Sequence, residues 1–457
     1  MKVLVLNPPS EGSGFSRDGR CQSSGSLWLS VFPPVMLPSI AGSVRTKYNT
    51  MLMDCIGSKI SFSKCLEMAE EYRPDFTVVN TSTPTFDKDI MVAQQIKEYT
   101  KSKIIVYGEF VTNAYKEVLN KHPFIDYVVR GEAETPVMNI LAGKKNSPGV
   151  ATRTYDGEIW QEPDLDKLPM PAYDLMPRYC YPLKEKPWMF IRSGRGCPYK
   201  CSFCVVPKIS GGKIRYHSAD YMIRQVKIIN KLGIYYFMLW DDMATYDKNR
   251  MLAFCKVMVK TGLSKKNKWL CTTRINHMDE ELARNMRQAG CFMISLGIES
   301  GDQAVLNFNK KGITLEQVKR TVQAVRASGI KIVGHFIIGL PGDTKETIRK
   351  TIKFAKELKI NFAQFYTVAT YRGSELYALA KRKGWLLKKS YEQIDQVTSN
   401  LAFPNLSAKD IEELRRKAYL SFYLRPRAAY SLLSSLGIRT IIKAPLLIKK
   451  FLKFIMG

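Results

Sequence analysis

The sequence predicts an α/β protein: an N-terminal doubly wound parallel sheet, then a partial (β/α)6 barrel, then a helical C-terminal tail. Three observations carry this prediction. Short apolar, β-branched runs alternate with helix-like segments, as in strands buried on both faces. The alternation occurs twice, with a Pro-rich polar stretch, "DKLPMPAYDLMP", between the two series. The 457 residues also exceed the roughly 100–200 usual for a single domain.

In the first series the strands are "KVLVLN" (2–7), "FTVVN" (76–80), "KIIVY" (103–107) and "DYVVR" (126–130), with helices over 87–100 and 113–121. Ligands of such sheets sit at the carboxyl ends of the strands. The loops of interest are therefore "NPPS", "TSTPT" (81–85), "GEF" (108–110) and "RGEAE" (130–134). In the second series the strands are "MFIRS" (189–193), "YYFMLW" (235–240), "WLCTT" (269–273), "FMISLGI" (292–298), "IKIVGHFII" (330–338) and "FAQFYTV" (362–368). Helices over 221–232, 279–289, 315–328 and 345–358 separate them. Six βα units are too few for a closed eight-stranded barrel. The expected divisions are 1–145 for the first domain, 146–185 for a linker, 186–385 for the barrel and 386–457 for the basic helical region.

Composition narrows the function. The charge of +29 suits an anionic surface, nucleic acid or acidic substrates, and carries no information about fold. Residues 414–457 hold ten Lys/Arg and no Asp or Glu. Ten unevenly spaced cysteines behind an opening without a leader pattern, "MKVLVLNPPS", point to a reducing cytoplasm rather than a disulfide framework. No apolar run reaches the roughly 20 residues of a membrane span.

The chemistry sits in "GRGCPYKCSFC" (194–204), where Cys197, Cys201 and Cys204 follow the first barrel strand with C-x3-C-x2-C spacing. Clustered thiolates suit zinc or an iron–sulfur cluster. Structural zinc takes four ligands, usually as two pairs, and no fourth Cys or His stands near: the next histidine is His217. A [4Fe-4S] cluster on three thiolates keeps one iron open for a substrate.

"CPYKCSFC" resembles the signature of the radical S-adenosylmethionine (SAM) superfamily. The likeness runs across 190–376 through "LWDDM", "SLGIES", "FIIGLPGDT" and "YRGSELY". It implies a TIM-like partial barrel in which the open iron chelates SAM. One electron from a donor such as flavodoxin or ferredoxin then cleaves SAM to methionine and a 5′-deoxyadenosyl radical, which abstracts hydrogen from carbon. By the same resemblance, Phe203, Gly339 and Pro341 stand beside adenine. Asp241, Asp242 and Glu299 meet the amino group or ribose, and Arg274 the SAM carboxylate. A helix N-cap is the plainer role for one of the aspartates.

The first domain resembles the cobalamin-binding domain of one radical SAM class, through "NPP", "ST" and "DYVVRGEAE". Ser82, Thr83, Gly108, Gly131 and Glu132 are the candidate lining. Asp54-Cys55-Ile56-Gly57 lacks the histidine of a D-x-H-x-x-G motif, and Gly108-Glu109-Phe110 stands where the family often has Gly-Gly-Pro. The resemblance implies methylation of an unactivated carbon in a lipid-like or secondary-metabolite substrate, or else a radical cyclisation or ring contraction. A tRNA methylthiotransferase is the nucleic-acid rival. The resemblance gives that family three further cluster cysteines in its first domain; Cys21, Cys55 and Cys65 match the count, but the family's third position lies far later and no cysteine occurs between 65 and 180. In 438–456, Arg439, Lys443, Lys449, Lys450 and Lys453 fall on one arc of a helix opposite an apolar face, a pattern expected to touch the inner face of a membrane.

Overall fold

The structure is a computed structural model that describes residues 1–10, 17, 32–181, 183–387 and 396–435. The predicted tail helix at 438–456 and Cys21 lie outside the described residues.

The first sheet has six strands in the order β2-β1-β3-β4-β5-β6: β1 (Lys2–Asn7), β2 (Asn49–Asp54), β3 (Phe76–Asn80), β4 (Lys103–Tyr107), β5 (Tyr127–Val129) and β6 (Val150–Ala151). β1 to β5 are parallel, and β6 closes the edge antiparallel to β5. Alternation along each strand feeds two separate cores. Leu4, Leu6, Val79 and Val106 face one layer of helices; Val3, Val5, Val78 and Ile105 face the other. Each such buried aliphatic side chain contributes roughly 1.5–3 kcal/mol of transfer free energy. β2 and the helix Met36–Val44 were not predicted. "NTMLMD" has no β-branched run because it is an edge strand, buried only at its last two residues.

The stretch 146–185 is not featureless. It supplies β6 to the first sheet, and β7 (Cys180–Tyr181) pairs antiparallel with the edge of the second. That second sheet has the order β15-β14-β13-β12-β11-β8-β7: β8 (Lys186–Ile191), β11 (Tyr236–Leu239), β12 (Lys268–Arg274), β13 (Cys291–Glu299), β14 (Lys331–Ile338) and β15 (Phe362–Thr367). A small ribbon of β9 (Gly194–Arg195) and β10 (Arg215–Tyr216) projects from the end of β8. From β8 to β15 all six strands are parallel, and β15 does not pair back to β8, so the barrel is open as predicted. The returning helices begin where side chains satisfy first-turn amides: Ser218, Asp247, Asp279, Thr314 and Thr344 each accept a backbone N–H. Phe237, Trp269 and Phe254 fill the layer between strands and helices. Phe190, stacked on Trp240 at 4.7 Å, takes the concave side, and His335, stacked on Tyr366, shares that side by strand alternation.

Helices Ala408–Tyr423 and Pro426–Leu433 pack outside β15 and at its start. Among the described residues no helix is long and apolar enough to cross a membrane.

Candidate active site

The ribbon β9–β10 delivers the cysteines. Gly196 has φ +96°, and a Cβ there would run into the carbonyl of Lys213, so only glycine lets the chain turn from the ribbon into Cys197. Beyond it Ser202 donates from its backbone and its hydroxyl to Asn309, whose side chain donates in turn to the Pro341 carbonyl at 2.8 Å. The segment containing Gly339 and Pro341 is thereby tied to the cysteine loop. Cys197, Cys201 and Cys204 are in no disulfide. Among the described residues no three His, Cys, Asp or Glu side chains gather about a single-ion position. Three thiols strung along one loop suit a polynuclear cluster better than one zinc.

Asp241 and Asp242, expected at the SAM amino group, both hold the loop. Asp241 accepts from the amides of Ser193 (2.8 Å) and Gly194 (3.0 Å) and from the Ser193 hydroxyl. Asp242 accepts from the Gly196 amide at 3.0 Å. Burial pushes the Asp241 carboxyl above its ordinary range, against Arg250 and these hydrogen bonds. Arg250 itself donates to the carbonyls of Ser193 and Ala244.

A second grip comes from the first sheet. Glu134 takes Arg195 with both oxygens (2.6 and 3.1 Å) and also accepts the Ser39 hydroxyl. Glu132 bridges Arg195 (3.1 Å) and Arg215 (2.5 Å). Burial opposes ionisation of Glu134, and Arg195 outweighs it, holding the carboxyl down at about 2. Sequence reading singled out neither Arg195 nor Arg250, and reached Glu134 only as part of the loop "RGEAE". Only the position of Arg195 inside the cysteine stretch pointed to it.

Arg274 is buried beside the cluster loop. It donates to Cys201 Sγ (3.3 Å) and to the Lys311 carbonyl, and lies 3.7 Å over the Tyr199 ring. Glu299 ends β13 with φ +71°, at a register shift in the β13–β14 ladder. Such a conformation costs a non-glycine residue about 1 kcal/mol or more and marks a constrained site. Its carboxylate pairs with Lys311 Nζ at 2.6 Å, over Gly297, where any Cβ would come within 2.7 Å of Glu299 Oε1. Nothing in "KKGIT" marked Lys311 beforehand. Phe203 packs with Leu340, Val305 and Leu376. Gly339 and Leu340 donate their amides to Asp343, whose carboxyl burial raises to about 6. Arg274, Phe203, Gly339 and Pro341 thus gather at the cysteine loop, Glu299 joins Arg274 through Lys311, and the two aspartates bond the ribbon that leads into the loop.

On the first sheet, Ser82 is buried and bonded to Thr85, and its amide points to Asp89, which pairs with Arg17 at 2.6 Å. Thr83 is buried beside it, and Gly108 backs onto the Thr81 carbonyl. Gly131 (φ +96°) leaves no room for a Cβ against the Trp160 carbonyl. The buried indole N–H of Trp160 has no acceptor among the described residues. At the Asp54–Gly57 turn, Tyr179 donates to Asp54 and takes the space next to Gly57. Cys55 and Cys65 sit in the core of this sheet. The two sheets meet at their carboxyl ends. Besides the Glu132–Glu134 grip, Gln161 donates to the Ile209 carbonyl and Arg372 pairs with Glu117.

A half-open parallel barrel with three thiols after its first strand, faced by a second nucleotide-type sheet, defines a class of enzyme that works at the barrel mouth. Residues 191–355 match the model of the Radical SAM superfamily. An uncharacterized methyltransferase of Pyrococcus horikoshii is 30% identical over 440 residues, 93% of each chain. The anaerobic magnesium-protoporphyrin IX monomethyl ester cyclase of Rubrivivax gelatinosus is 27% identical over 82% of this chain and 69% of its own. In fold, the chain matches TsrM, a radical SAM methyltransferase from Kitasatospora setae solved with cobalamin and a [4Fe-4S] cluster. The TM-score is 0.69 at 15% identity, over 93% of this chain and 89% of that one. The chain belongs to the radical SAM superfamily and is a radical SAM enzyme.

Proposed function

We propose that the chain is a cobalamin-dependent radical SAM methyltransferase acting on an unactivated carbon of a lipid-like or secondary-metabolite substrate. The meeting of the two sheets carries this reading: the loop at 131–134 is bonded to the ribbon leading into the cysteines, so a group held on the first sheet faces the barrel mouth. When bound, a [4Fe-4S] cluster with SAM supplies a radical that takes hydrogen from carbon, and a corrinoid supplies a transferable methyl group.

The residues fit both groups. Cys197, Cys201 and Cys204 hold the cluster on a loop fixed by Asp241, Asp242 and Asn309. Arg274 and Lys311 offer cations for the SAM carboxylate and Glu299 an anion for its amino group. Phe203 and the turn of Gly339 and Pro341 offer an apolar surface for adenine. Around Ser82, Thr83, Gly108 and Gly131 the polar groups are hydroxyls and backbone groups. The loops there hold no imidazole, which suits a corrinoid carried without a histidine ligand. The half-buried rings of Trp240 and Tyr366 on the concave side support a substrate with a broad apolar surface. An electron donor of the flavodoxin or ferredoxin kind completes the system.

Anaerobic reconstitution with iron, sulfide and cobalamin tests the reading. The expected result is about four irons and one retained corrinoid per chain, with 5′-deoxyadenosine formed from SAM under reduction. Iron and 5′-deoxyadenosine without corrinoid would remove methyl transfer and favour a radical cyclisation or ring contraction.

A further inference from the structure

Helix Ala408–Tyr423 buries Ile411, Leu414, Ala418, Tyr419 and Phe422 against the barrel. Its other face carries Arg416, Lys417, Leu420 and, at its end, Leu424, all exposed at i, i+3/i+4 spacing. The next helix adds Arg427 and Tyr430. Leu424 is 80% and Tyr430 73% exposed, the two most exposed large apolar side chains among the described residues. Arg416, Lys417 and Arg427 make no ion pair with the described residues, and no Asp or Glu occurs from 414 onward. Positive charge is crowded here. Burial, and then the nearness of Arg427, lower the guanidinium pKa of both Arg326 and Arg425.

We propose that this face is a docking surface for an anionic lipid bilayer. A protein partner would need acidic groups placed against each cation. A bilayer needs only anionic charge and a boundary that admits single apolar side chains between cations, and long Lys and Arg side chains reach back to headgroups around inserted Leu and Tyr. The sequence that follows continues the same chemistry, basic and apolar with no acid.

The position of the face defines what it does. Ser431 accepts from Asn361, which accepts the Ile332 amide, and Ser435 accepts from Lys331. These contacts put Pro426–Leu433 at the amino ends of β14 and β15, whereas the cysteine loop, Arg274 and Gly339 lie at the carboxyl ends of the strands. Arg415 bonds the Phe365 carbonyl in the middle of β15, so the face runs from the flank of the barrel down to its floor, and the bilayer holds the enzyme there and leaves its mouth uncovered.

Co-sedimentation of the full chain, cluster loaded, with vesicles tests this. Binding is expected to vesicles of phosphatidylcholine mixed with phosphatidylglycerol, to fall with salt, and to be absent with phosphatidylcholine alone. Leu424→Asp with Tyr430→Asp should weaken it about tenfold, and so should Arg416→Gln with Lys417→Gln and Arg427→Gln. Melting temperature and 5′-deoxyadenosine formation should be unchanged, with or without vesicles. No binding to the anionic vesicles would overturn the proposal. So would full binding by both variants, which would assign the contact to another part of the chain, or a dimer in solution that either variant dissociates.

Discussion

The ribbon that leads into the cysteines is held from two sides by acid pairs that work differently. On the barrel side Asp241 and Asp242 bind backbone amides of Ser193, Gly194 and Gly196. On the first-sheet side Glu132 and Glu134 bind the side chains of Arg195 and Arg215. A backbone grip fixes the path of the loop whatever side chains it carries. A grip on guanidinium groups fixes instead where that loop stands relative to the other domain. The first kind shapes the cysteine loop, and the second registers it against the first sheet.

The largest effect should come from Glu134→Ala, which leaves Arg195 buried with half its counter-charge and should cost roughly 3–5 kcal/mol. Differential scanning calorimetry should record an early transition for the first domain while the barrel melts as before. Gly196→Ala strikes the opposite side and should cost about 3 kcal/mol through the positive φ and the clash with Lys213. Here iron content after reconstitution should fall while corrinoid retention holds. Asp241→Asn keeps some acceptor capacity, so a loss of roughly 2 kcal/mol is expected, again read in iron content.

Acid separates the two grips further. The Glu134 carboxyl is held at about 2, below its unfolded value of 4.5, so its contribution is complete above pH 4.5 and disappears as pH falls towards 2. Melting followed from pH 5 to pH 2.5 should lose roughly 2.4 kcal/mol more in the native chain than in Glu134→Gln. Glu132→Gln should be mildest, about 1 kcal/mol, because this carboxylate is partly solvated and Arg195 keeps Glu134.

Much of this was legible in the sequence, for identifiable reasons. Strands buried on both faces must be largely apolar: β1, β3 and β4 show it as β-branched runs, and the barrel strands as runs of aromatic, Met, Leu and Ile side chains. A triplet of thiols in one loop needs no tertiary information. What stayed hidden depends on contacts between distant residues. Arg195 meets Glu134 across 61 positions, and Lys311 meets Glu299 only because Gly297 leaves room and β13 shifts register. Asp241 and Asp242 were located correctly at the end of a strand. Their hydrogen bonds to the loop became visible only once the β9 ribbon was in place, since an acid at a strand end serves a ligand or a backbone equally well. β2 escaped because an edge strand need not be β-branched.

The central claim is that the first sheet and the cysteine ribbon move as one registered unit. Anaerobic hydrogen–deuterium exchange on the cluster-loaded chain, with and without cobalamin, tests it most directly. Added cobalamin should protect 81–85, 108–113 and 131–134, and should also protect the ribbon over 194–216. Protection confined to the first sheet, with exchange in the ribbon unchanged, would contradict the account.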